Sequence, residues 1–122
     1  MSQGTSRGKQ QLHVQEVGDV SVVNFTLSKI LDEQVIQFMG DQLYQLVDDV
    51  GCRKIVLNFR NVAYLSGAAL GKFITLRRKL EAVKGKLALC NLDERIQQLF
   101  RVNDLQNVFN IYDDEQCALQ AM

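Results

Sequence analysis

Proline and tryptophan are both missing from the sequence, and histidine occurs once, as His13. Without proline, no helix or strand loses a backbone donor to an imino ring, and no proline-rich linker divides the chain. A single histidine cannot supply a set of imidazole ligands. The three cysteines, Cys52, Cys90 and Cys117, show no Cys-x-x-Cys spacing. An odd count without that spacing suggests neither a zinc site nor a disulfide framework, so no metal and no cofactor are expected and a reducing compartment is the simpler setting. There is no surplus of either charge, because 14 basic residues balance 14 acidic ones. A neutral chain lacks the electrostatic footprint of nucleic-acid binders. No apolar run approaches the roughly 20 residues that span a bilayer, and the opening "MSQGTSRGKQQ" has no apolar core of signal-peptide length. The expectation is a soluble, cytoplasmic protein with no nucleic-acid partner and no direct membrane insertion.

What is present reads as one domain. A chain of 122 residues buries enough surface to fold without staples. Residues 1–10 are small, polar and aperiodic, and are read as a flexible N-terminal tail; residues 11–122 are read as a single domain. In "QLHVQEV", Leu12, Val14 and Val17 suggest a strand, and Gly18-Asp19 a hairpin turn into "VSVVNF". Asp32 is placed to cap a helix whose apolar stripe is Val35, Met39, Leu43, Leu46 and Val50, with Gly51 ending it in a left-handed conformation. "KIVLNF" and "KLALCN" are apolar at consecutive positions, as in strands buried on both faces of a sheet with parallel neighbours.

Between those two strands, Ala69, Phe73, Leu76, Leu80 and Val83 mark a second helix, closed by Gly85. Asp93 caps a short helix carrying Ile96, Leu99 and Phe100, "VFNIY" is a last strand, and Asp113 with Gln116 resembles a capping box for a terminal helix reaching Met122. The order is β-β-α-β-α-β-α-β-α, an α/β fold with helices covering a mixed sheet.

Chemistry is hard to find. His13 lies on a strand without a nearby nucleophile or orienting carboxylate, and Cys90 reads as core. Ser66 sits where a strand gives way to a helix, yet Tyr64 and Ala68 occupy the places where a nucleophile elbow needs glycines. An enzyme is not expected, and no catalytic residue is assigned. The basic residues Lys72, Arg77, Arg78, Lys79, Lys84 and Lys86 fan around one helix and its exit, which fits a solvated surface near a helix C-terminus better than an acidic-partner patch.

Two blocks, "KIVLNFRNVAYLSGAALGKFITLRRKL" and "GKLALCNLDERIQQLFRVNDLQNVFNIYDDEQCAL", match in order and spacing a known family. The chain resembles the STAS domain family of bacterial anti-sigma factor antagonists. In that family the loop before the long helix reads Asp-Ser-(Ser/Thr)-Gly-Leu-Gly, and its second hydroxyl residue is phosphorylated by a cognate anti-sigma serine kinase. Aligning Leu70 and Gly71 with the family's Leu-Gly puts Ser66 at the Asp place, Gly67 at the first Ser and Ala68 at the phosphoacceptor, with Ala69 replacing the glycine. The other register, which makes Ser66 the acceptor, shifts the helix by two residues and turns its apolar stripe by roughly 200°.

The resemblance implies a module that binds an anti-sigma factor, a kinase-like ATPase, through Tyr64, Ser66, Gly67, Ala68 and Leu70 and through Lys72 and Thr75 of the helix. With Ala68 in place, the usual phosphate switch is unavailable. STAS-like chains without an acceptor also resemble the small accessory subunit of lipid-trafficking ABC transporters, and others scaffold signalling complexes.

Overall fold

The computed structural model of the protein describes residues 11–122, so the expected tail at residues 1–10 lies outside the described residues. The elements are β1 (Leu12–Val17), β2 (Val20–Phe25), β3 (Lys29–Ile30), α1 (Glu33–Asp48), β4 (Lys54–Asn58), β5 (Tyr64–Leu65), α2 (Gly67–Ala82), β6 (Lys86–Cys90), α3 (Glu94–Val102), β7 (Asn110–Tyr112) and α4 (Glu115–Ala121). The sequence order holds, with two additions. β3 and β5 are two-residue strands that pair with each other alone, Lys29 beside Tyr64 and Ile30 beside Leu65. Elements this short have no periodicity to detect.

The main sheet runs β1-β2-β4-β6-β7. β1 and β2 form the antiparallel hairpin around Gly18, whose φ of 63° suits the turn. All later neighbours are parallel, joined through helices. Along each strand alternate residues enter two different cores, which explains the unbroken apolar runs. Val23, Phe25, Ile55, Leu57, Leu87 and Leu89 face α1, α2 and α3. Val20, Val22, Val56, Ala88 and Cys90 face the opposite way, where Ala118 of α4 packs.

Helix ends follow their caps. Asp32 accepts from Val35 N at 3.1 Å, and Asp93 from Ile96 N at 3.0 Å. α4 is capped one residue later than expected: Asp114, not Asp113, accepts from Cys117 N at 2.9 Å. The extended backbone of Asp114 points its carboxylate at that N–H, and Cys117 stands where a capping box needs Glu or Gln.

The buried stripe of α1 is Ile36, Met39, Gly40, Leu43 and Val47, rotated from the expected one. Val50 is 67% exposed, beyond the helix end. The reason is the neighbour. α1 packs against α2 as well as the sheet, and Gly40 forms a notch that receives the Lys72 stem, while the Tyr44 hydroxyl donates to the Lys72 carbonyl. Gly51, with φ of 85°, turns the chain so that Cys52 N reaches the Leu46 carbonyl. At the end of α2 it is Lys84 that takes the left-handed conformation, whereas Gly85 passes against the Arg53 carbonyl where a Cβ has no room. The stripe of α2 is the expected one apart from its ends: Leu70 joins Ala69, Phe73, Leu76 and Leu80, and Val83 is only partly buried.

Candidate functional site at the start of helix α2

The site grows from the carboxyl end of β4, where ligand sites gather in open α/β sheets. After Asn58 the chain passes Phe59 and Val62, both buried, and rises to β5. Phe25, Phe59 and Phe73 form a ring cluster with centroids 5.0 to 6.1 Å apart, which makes the floor. β5 is held to β3 by its parallel pairing and by Ala63 and Tyr64 N–H groups donating to the Ser28 carbonyl. Alternation then sorts the side chains. Ile30 and Leu65 point into the core, while Tyr64 is 44% and Leu31 51% exposed.

Ser66 ends this bridge and begins α2. Its N–H donates to the Ile30 carbonyl at 3.1 Å, and its own carbonyl accepts from Ala69 N. Its side chain makes no cap bond, and Oγ is buried with no hydrogen-bond partner. Gly67 and Ala68 are exposed. A hollow of about 510 Å³ lies between them and α1, lined by Leu31, Glu33, Ile36, Ser66, Ala68 and Lys72.

The residues expected to form the contact surface do not share one environment. Tyr64, Gly67 and Ala68 are at the surface, and Leu70, at 3% exposure, is in the core, where it supports the helix start from beneath. Lys72 and Thr75 are half-buried. Lys72 Nζ donates to Gln37 Oε1 at 3.1 Å across the α1–α2 seam, and Thr75 Oγ1 donates to the Gly71 carbonyl. Both are tied into the fold.

Two neighbours escaped the sequence reading. Lys29, from β3, and Arg95, from the first turn of α3, lie over the Tyr64 ring with cation-to-centroid distances of 5.7 and 4.9 Å. No local pattern marks them, because they converge only through the β3–β5 bridge and the α3 docking.

Behind the site, a polar network ties β4, β6 and α4. Asn58 is 4% exposed; its amide donates to Glu115 Oε1 and its Oδ1 accepts from Arg60 N and from Asn91 Nδ2. Cys90, fully buried beside it, has its thiol pushed up to about 12 by burial first and then by the Glu115 and Asp114 charges. Such a thiol is inert. Two other basic residues of α2 are engaged too, Arg77 with Glu81 at 3.1 Å and Lys79 with Asp48 at 2.8 Å, while Arg78 is exposed.

The start of α2 thus presents Gly67 and Ala68 at the surface, just after the β3–β5 bridge. The hydroxyl nearest to them, that of Ser66, is buried and lines the hollow together with Glu33 and Lys72. A family model, the STAS domain, matches residues 11–118. The chain belongs to the STAS domain family. Among its relatives, BtrV of Bordetella bronchiseptica, named provisionally as an anti-sigma factor antagonist, is 27% identical over 73 residues. That match covers 60% of this chain and 63% of BtrV, so it spans less than two-thirds of that relative. The anti-sigma F factor antagonist of Paenibacillus polymyxa is 25% identical over 93 residues, covering 76% of this chain and 80% of the relative. An anti-sigma-factor antagonist (STAS) domain protein from Planctomyces limnophilus superposes with a TM-score of 0.79 at 18% identity, over 90% of this chain and 95% of that one. At that identity the likeness carries the fold. The mixed sheet and four helices of this STAS domain are thus those of its family, and among the described residues no helix is long and apolar enough to cross a membrane.

Proposed function

We propose that this STAS domain is a non-enzymatic regulatory module that captures an anti-sigma factor of the serine-kinase type in the cytoplasm and so frees a sigma factor. The observation that carries the reading is the exposed start of α2, where Gly67 and Ala68 present bare backbone and a methyl group beside the exposed Leu31 and Tyr64. Under the family alignment, Ala68 stands at the acceptor place and offers no hydroxyl. Ser66, the nearest substitute, has its Oγ buried. A phosphate added at such a loop brings about −1.5 to −2 charges and releases a partner by repulsion. Without an acceptor, binding is constitutive and is set by abundance or competition.

Isothermal titration of the purified chain with each kinase-like anti-sigma factor of its source tests this. The expected result is one partner binding at micromolar concentration or tighter, an intact mass that ATP leaves unchanged, and binding weakened about tenfold by Ala68→Glu. Absence of any such binding, or a phosphate gained on Ser66, overturns it. An ATPase and permease encoded beside the gene, with no kinase-like neighbour, replaces it with a transporter subunit.

A further inference from the structure

The surface around Tyr64 carries two cations that no ion pair among the described residues engages. Lys29 and Arg95 both lie over an exposed ring, Arg95 also donating to the Ala63 carbonyl at 3.5 Å, and neither has a carboxylate within ion-pair distance among the described residues. Among the described residues Lys54, Arg77, Lys79 and Arg101 have one, and what sets Lys29 and Arg95 apart from the other unpaired cations is that they share one exposed aromatic ring. The carboxylates nearest in sequence are turned to other partners: Asp32 and Asp93 accept from the first turns of their own helices, and Glu94 lies 3.8 Å from Arg101. Glu33 remains, beside the hollow and in the first turn of α1. α2 adds a third attraction for negative charge, because it has no acidic residue in its first turn and no side-chain cap on the positive end of its dipole.

We propose that this surface docks an acidic segment of the protein partner, with carboxylates set against Lys29 and Arg95 and an apolar side chain resting on Leu31 and Tyr64. The inference rests on the docking reading above and specifies the chemistry of what docks. Neither cation is in an ion pair, so a carboxylate approaching them gains a charge-assisted contact without breaking one. The exposed Leu31 and Tyr64 supply the apolar contact that charge alone does not give. A second copy of the chain is disfavoured, since a twofold contact here sets Lys29 and Arg95 against their own equivalents.

The test titrates the full ¹⁵N-labelled chain with two blocked synthetic peptides of equal length, one alternating Glu and Leu and the other Lys and Leu. The Glu peptide is expected to move the amides of Lys29–Leu31, Ala63–Ala68 and Arg95, with affinity falling at least about fivefold as salt rises from roughly 50 to roughly 300 mM. The double change Lys29→Glu with Arg95→Glu is expected to abolish those shifts. Lys86→Glu, on the opposite sheet face, is expected to leave them intact. Equal shifts with the Lys peptide, or Glu-peptide shifts mapping elsewhere, overturn the proposal.

Repeating the double charge reversal against a kinase-like partner separates the two readings. Binding that Ala68→Glu weakens and the charge reversal spares overturns the acidic segment and leaves docking standing. Glu-peptide shifts on this face, with no kinase-like partner bound, support the acidic preference and overturn the anti-sigma reading.

Discussion

At Gly85 the backbone runs against the Arg53 carbonyl, and a Cβ there collides with an atom that cannot move aside. Gly67 meets nothing within 4 Å and lies in the first turn of α2. Gly85→Ala is therefore expected to destabilise by about 2 kcal/mol, and Gly67→Ala to be neutral or to stabilise by up to about 1 kcal/mol, read as shifts in the urea midpoint. The three cysteines separate in the same way. Cys117 is exposed, Cys52 half-buried and Cys90 buried. A thiol reagent on the native chain should reach Cys117, slowed because the hydrogen bond to Asp114 raises its thiol pKa, and should modify Cys90 only after unfolding. The buried Cys90 thiol keeps its proton to about 12, while the ordinary value is 9.0. The unfolded chain gives up that proton first, so Cys90 costs nothing below about 9 and stability falls as pH rises from there toward 12. Cys90→Ala should flatten that alkaline loss.

Among the helices, α2 is the one whose start is left open. Asp32, Asp93 and Asp114 each accept from the N–H three residues on, whereas the Ser66 hydroxyl accepts from none. Asp93→Ala is expected to cost about 1 kcal/mol in chemical unfolding. Ser66→Ala is expected to cost close to nothing, because it removes a buried hydroxyl that has no partner. A loss from Ser66→Ala as large as that from Asp93→Ala would show that the hydroxyl caps after all. The helices were also where periodicity read best and misread once. The α2 stripe was legible because apolar side chains make it throughout, but α1 meets its second neighbour, α2, through a glycine notch. The second neighbour selects Gly40 and Val47 in place of Leu46 and Val50. A stripe computed from apolar residues alone has no way to include a glycine that is buried to admit a lysine stem.

Over the whole molecule, three helices cover one face of the sheet and the short α4 packs on the other, and Asn58 joins the two halves. Replacing Asn58 by leucine leaves Arg60 N without its acceptor and Glu115 and Asn91 without their partner. The expected cost is about 2 kcal/mol, with hydrogen exchange speeding up more in α4 than in α1, and an equal change in both helices would refute that linking role. The sequence by itself determined the strand and helix order, the doubly buried strands, most caps and the family. These rest on local periodicity and on side chains that satisfy backbone groups a few residues away. Tertiary structure alone decided that Leu70 lies beneath the site, that Lys72 serves the α1–α2 seam, and that Lys29 and Arg95 meet over Tyr64. Those residues are far apart in the chain, and only packing, which no spacing rule encodes, brings them together.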